Sequence, residues 1–165
     1  MYNILDGLII KRDVPTKLYL FNDYFKGFNK VKAIQNLFGD QTENILNNLK
    51  VEFFSSRFGY MGLSDSDGHL LISTYHLKNS EFHILYLDII HELFHLKQFQ
   101  EGKQLFSSEY SYVDNPIEID AYRYTIDEAK KIGMNREEII EYLKVEWIDD
   151  IEHARLLKSL DIRDK

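Results

Sequence analysis

The chain contains no cysteine. That excludes disulfides, thiolate-ligated zinc and thiol nucleophiles together, so any metal site must be built from histidine and carboxylate. Proline is scarce as well, with 2 in 165 residues, and no Pro/Gly/Ser-rich linker, internal repeat or low-complexity segment divides the chain. Residues 1–165 therefore read as a single domain, long enough to bury a real core. Positive charge is in deficit: 20 Lys plus Arg face 27 Asp plus Glu, a formal net charge of -7. Such a surface repels nucleic acid and anionic lipid as general partners. No clean apolar span exists either, because the longest run, FHILYLDIIHELFHL, carries Asp88 and Glu92 inside it and is unsuited to a membrane. The first residues, MYNILDGLIIKRDV, lack a basic n-region and a small-residue cleavage site. No secretory signal is expected, and a cytoplasmic location is the default.

What is abundant is apolar and aromatic surface: 44% hydrophobic residues, with 11 Tyr and 11 Phe, a composition that argues for a packed globular protein. The first half reads as mixed. KLYLF and KVEFF have strand character, and Tyr24–Gly39 shows apolar residues at helical spacing. Thr42 can cap a short helix, ENILNNLK. Two apolar segments, RFGYMGL and HLLISTYHL, flank SDSDG, in which Asp67-Gly68 is a hairpin turn signal. The second half reads as helical. One helix runs from Asn79 or Ser80 to about Gln100; another starts at Asn115-Pro116 and stops at Gly133. Asn135 with Glu138 makes a capping box for a third, and IDDIEHARLLKSL makes a last one. The expected fold class is α+β, with a small N-terminal mixed or antiparallel sheet and a mostly helical C-terminal part; 135–165 form a helical extension packing on the core.

The chemistry lies in HELFH, residues 91–95. On a helix, positions i and i+4 sit on one face, so His91 and His95 can direct imidazole nitrogens at one metal ion. Glu92, on the adjacent flank, can reach a water on that ion without ligating it, as a general base in metal-assisted hydrolysis must. Burying two histidines and a glutamate on so apolar a helix is costly unless each is partnered, and a metal satisfies the group together.

A hydrolytic zinc takes three protein ligands and keeps a position for water, so a third ligand is required. Glu101 follows His95 on the same helix but points roughly 100° or more away and about 9 Å along the axis. His76 lies on an expected strand, and His83 lies two turns before His91. Glu118, in NPIEIDA, can reach the ion from a second helix, yet Asn115 with Glu118 also reads as a capping box that would occupy the same carboxylate. Asp120 projects to another face. Spacing favours Glu118 modestly.

HELFH followed by a helix beginning NPIEIDA resembles the gluzincin branch of the zincin metallopeptidases, particularly the small single-domain minigluzincins, over roughly Gly68 to Ala129. The resemblance implies a zincin-like fold, one Zn²⁺ per chain held by His91, His95 and Glu118, and Glu92 as the base. It also implies a peptide or protein substrate that adds as a strand along an upper rim, expected within GHLLISTY. Tyr122 stands where some larger gluzincins have an aspartate. With Tyr110, Tyr112 and Arg123 it is a candidate stabiliser of the transition state, and the preferred one. The metzincin pattern fails, since Gln98 and Glu101 stand where its glycine and third histidine belong.

The function expected is therefore a zinc metallopeptidase. Two alternatives accompany it: a latent or inactive zincin acting through binding, its cleft covered by the helices from Asn135 onward, and a regulatory protease specific for one intracellular partner.

Overall fold

The structure, a computed structural model, describes residues 16–56 and 60–162. The N-terminal stretch read for a secretory signal, and Arg57–Gly59 at the start of the expected hairpin, lie outside the described residues.

The elements in chain order are β1 (Leu18–Leu20), α1 (Phe21–Tyr24), α2 (Lys32–Phe38), α3 (Thr42–Asn48), β2 (Lys50–Phe54), β3 (Met61–Leu63), β4 (Leu70–Ser73), α4 (Thr74–Asn79), α5 (Phe82–Gln100), α6 (Pro116–Lys131), α7 (Arg136–Tyr142) and α8 (Asp150–Ser159). The fold is α+β. Its sheet has the order β1-β2-β4-β3, with β1 antiparallel to β2, β2 parallel to β4, and β3 antiparallel to β4. The mixed character has a simple cause. The SDSDG turn folds β3 back on β4 with Leu63 opposite Leu70, and β2 joins the far side of β4, so β2 and β4 run the same way.

Three local readings are corrected by the structure. The apolar periodicity over Tyr24–Gly39 does not make one helix: α1 ends at Tyr24, Gly27 takes a left-handed φ of 85°, and a short 3-10 turn at Phe28–Lys30 precedes α2. Thr42 is inside α3 rather than its cap, its hydroxyl donating to the carbonyl of Gly39 at 2.7 Å. His76 is helical rather than extended. Ser73 accepts the backbone N–H of His76 and starts α4, because a serine side chain competes for backbone donors where a strand ends.

Two apolar cores meet at α5. Phe21, Ile34, Leu46, Val51, Leu70, Ile72, Ile90 and Leu93 fill the first, between the sheet and the helices. Leu87, Tyr122, Ile126, Ile139, Leu143 and Leu156 fill the second, which ties α7 and α8 into the body of the protein. Flanked on both sides, α5 is apolar nearly all round, as a central helix must be. Full burial of side chains such as Ile90 and Leu93, both 0% exposed, contributes roughly 1.5–3 kcal/mol each. Its most extensive partner is α6, and that pairing positions the polar residues both helices carry inward. No helix among the described residues is long and apolar enough to cross a membrane.

Candidate metal centre

The α5–α6 interface brings His91, His95 and Glu118 together. Their mutual approach is close: Nε2 of His95 lies 3.0 Å from Nε2 of His91, and Oε2 of Glu118 lies 3.3 Å from each nitrogen. All three side chains are buried, at 6%, 5% and 8% exposure. Three such groups facing one another interact strongly, and the electrostatics follow. At His95, burial opposes the charged imidazolium, but the hydrogen bond to Glu118 and the charges of Glu92 and Glu118 outweigh it and raise the pKa to about 9. At Glu118, burial is likewise overcome by the two histidines, and its pKa falls to about 2. The group could hold a metal ion.

The competition over Glu118 is decided at the cap. Asn115 does cap α6, its Oδ1 accepting the Ile117 N–H at 3.0 Å, while its own N–H donates to the carbonyl of Tyr112 at 3.3 Å. The box is not formed, so the Glu118 carboxylate is free to face the histidines. A proline at the first helical position starts α6 without needing an acidic partner.

The other ligand candidates are elsewhere. Glu101 is exposed and pairs with Lys103 at 3.2 Å. His83 sits 3.4 Å from Glu81. His76 hydrogen-bonds Asp88 at 2.7 Å and Ser80 at 2.8 Å. Asp120 is exposed and pairs with Arg123 at 3.5 Å, away from His91, His95 and Glu118. Arg123 itself donates to the Ser159 carbonyl, and Tyr110 is exposed.

Behind His95 stands a residue that the sequence reading passed over. Gln98 is 1% exposed; its amide oxygen faces His95 Nδ1 at 2.7 Å, and its amide nitrogen donates to the Ile117 carbonyl at 3.1 Å. One helical turn separates Gln98 from His95, and that same-face spacing was the available signal. His91 has no such support: its Nδ1 is buried without a hydrogen-bond partner among the described residues. A buried polar atom left without a partner costs roughly 1–3 kcal/mol. That expense suits a residue held in place for its other nitrogen.

Glu92 is 6% exposed and lines both the cavity that His91, His95 and Glu118 line and a larger one that also reaches His91. Burial raises its carboxyl above the ordinary range, with His95 and His91 pulling it partly back. Tyr122 packs its ring on His91, centroids 4.5 Å apart. Its hydroxyl lies 2.6 Å from that of Tyr112, whose ring meets Trp147 edge-on at 5.7 Å. Tyr112 lines both cavities, whereas Tyr122 lines the larger. Burial raises both phenols above their ordinary pKa, so both hydroxyls keep their protons.

No protein-family model, curated protein or solved structure matches the chain.

The expected rim strand is displaced by one. GHLLISTY supplies β4, which is paired on both sides and has no free edge. The edge strand beside the metal group is β3, whose Met61, Gly62 and Leu63 line the smaller cavity. The reason is the crossover that inserts β4 between β2 and β3.

Proposed function

We propose that the protein is a zinc-dependent peptidase of the zincin type. What supports this is the convergence of His91, His95 and Glu118, with atoms 3.0–3.3 Å apart, beside the carboxylate of Glu92, which accepts no hydrogen bond from another described residue. Tetrahedral zinc with ligand bonds of about 2.0–2.2 Å calls for ligand atoms roughly 3.3–3.6 Å apart, so the donor set fits zinc with little adjustment. Three protein ligands, none of them cysteine, leave a fourth position for chemistry. Zinc bound there would supply Lewis acidity, lowering the pKa of a water and polarising a carbonyl oxygen.

The chain's own residues do the rest. An extended peptide lies along the edge of β3 that no described strand pairs, and its carbonyl approaches the metal group. Glu92 accepts a proton from the attacking water and returns it to the leaving nitrogen; a carboxyl raised by burial is better matched to that exchange near neutrality. The paired phenols of Tyr112 and Tyr122 hold two protons and use one between themselves. The second is free to donate to the substrate oxygen as charge develops on it.

The test is metal content and hydrolysis measured on the same preparations. Wild type is expected to hold about one zinc per chain and cleave peptides; Glu118→Ala to lose zinc; and Glu92→Gln to keep zinc with hydrolysis reduced by about 10²-fold or more. No bound metal after zinc is supplied sinks the centre, and full activity in Glu92→Gln sinks the mechanism. Zinc retained by a wild type that cleaves nothing selects the second reading, a zinc-binding protein acting through its cleft. That reading draws on Trp147, which stands in the cleft wall.

A further inference from the structure

The two cavities that meet at His91, Glu92 and Tyr112 differ in chemistry. The smaller, about 350 Å³, is walled by Met61, Leu63, Leu71, Leu105 and Phe106 and is apolar. The larger, about 690 Å³, opens between α4, the start of α5 and the α7–α8 connection, and its wall carries Glu81, Asp88, Glu138, Glu141 and Glu146. Among the described residues Lys144 is the one lysine or arginine in that wall.

Partners decide which of these charges a ligand meets. Asp88 accepts from His76 at 2.7 Å and Tyr142 at 3.0 Å. Glu138 accepts the Asn135 N–H at 2.7 Å, and Glu81 lies 3.4 Å from His83. The cation that could neutralise the wall is turned away: the Lys144 ammonium pairs with Asp150 at 3.2 Å, and Asp150 is outside the cavity. The carboxylates of Glu141 and Glu146 are exposed and find no ion-pair partner among the described residues. From the floor of the same cavity Glu92, 6% exposed, presents a carboxylate that accepts no hydrogen bond from another described residue. A concave wall of one sign, in a chain of net charge -7, focuses potential and concentrates cations.

We propose that the larger cavity takes a cationic group of the peptide, an amine or guanidinium, while the smaller takes an apolar side chain, so that preferred substrates carry a positive charge close to the bond placed at the metal group. The proposal rests on the cleft being a peptide site. Its discriminating feature is a preference for positive charge, which the apolar cavity does not read and which a bound dication would oppose.

Trp147 is the sole tryptophan and lines both cavities, so its fluorescence reports occupancy without turnover. Full-length Glu92→Gln protein loaded with zinc would be titrated with N-acetylated peptides that differ only in Lys, Gln or Glu at one position. A Gln peptide with a free N-terminal amine forms the fourth arm. The Lys peptide is expected to bind roughly fivefold to twentyfold more tightly than the Gln peptide, and the Glu peptide more weakly still. The preference should shrink toward unity in Glu141→Gln/Glu146→Gln and in about 0.5 M salt. A gain for the free-amine peptide alone assigns the cation to the peptide terminus rather than a side chain. Equal binding of Lys, Gln and Glu peptides overturns the proposal, as does a preference that survives the double variant. If peptides bind or are cleaved by wild type without regard to charge, the peptidase reading stands and this inference fails. If none binds and none is cleaved, both fail.

Discussion

Gln98 joins His95 to the start of α6, its amide oxygen 2.7 Å from His95 Nδ1 and its amide nitrogen 3.1 Å from the carbonyl of Ile117. A carbonyl can only accept, so Ile117 sets which end of the amide faces the imidazole. The amide oxygen in turn keeps Nδ1 protonated, so that once the ring is neutral the lone pair of Nε2 points toward Glu118 and His91. The residue after Ile117 is Glu118 itself, so one buried side chain orients His95 and braces the backbone beside Glu118.

Replacing Gln98 by Ala should weaken zinc binding about 10–100-fold while the protein remains folded. Gln98→Glu, which keeps an acceptor toward Nδ1 but loses the donor to the Ile117 carbonyl, should fall between wild type and Gln98→Ala. Competition with a chromophoric chelator reads both. An unchanged affinity in Gln98→Ala would show that His95 needs no orienting partner.

Zinc uptake should release a proton. His95 is raised to about 9 and Glu118 lowered to about 2, so near neutrality the metal displaces the His95 proton and leaves the carboxylate unchanged. Affinity should climb up to about tenfold per pH unit from near 7 and flatten above about 9. In the metal-free protein the same pair stabilises the fold. The His95 contribution is complete below its unfolded value of 6.5 and is lost as pH rises through about 9. The Glu118 contribution is present above 4.5 and is lost as pH falls through about 2. Calorimetry in buffers of different ionisation enthalpy counts the protons; none released at pH ~7.5 would contradict the assignment.

Tyr112 and Tyr122 should separate kinetically. Tyr112 reaches both cavities, so Tyr112→Phe should lower kcat by about 10²-fold with KM and zinc content little altered. Tyr122→Phe should lose less, since the hydroxyl it supports remains. The opposite order, measured under saturating substrate, would return the principal role to Tyr122.

Gly68 connects the sheet to the motif helix. Its φ is +77°, and a Cβ there would stand 3.0 Å from two ring atoms of Phe99 and 3.3 Å from Leu96. Gly68→Ala should therefore destabilise by about 1–2 kcal/mol from the left-handed backbone alone, with crowding of Phe99 adding to it. Thermal unfolding followed by circular dichroism measures the change; a Tm equal to wild type would mean the turn relaxes freely.

Local rules carried much of the fold. The hairpin at Asp67-Gly68, the Asn115 cap with Pro116, and the Asn135/Glu138 capping box depend on residues within a few positions of one another, and all three are present. Where local rules competed, tertiary context chose. Tyr24–Gly39 had helical periodicity, but Gly27 broke it. Asn115 and Glu118 had a box spacing, but Asn115 turned its N–H to Tyr112 and the carboxylate turned inward.

The sequence by itself determined that His91 and His95 share a helix face and that Glu92 flanks them, because the pitch of an α-helix places i and i+4 side chains together without reference to the rest of the chain. Only the tertiary structure decided that Glu118, 23 residues beyond His95, completes the group, that Gln98 orients it, and that β3 and the α7–α8 connection wall the cleft. Those relations are distances across packed surfaces, set by how α6 seats on α5 and how α7 and α8 close the second core.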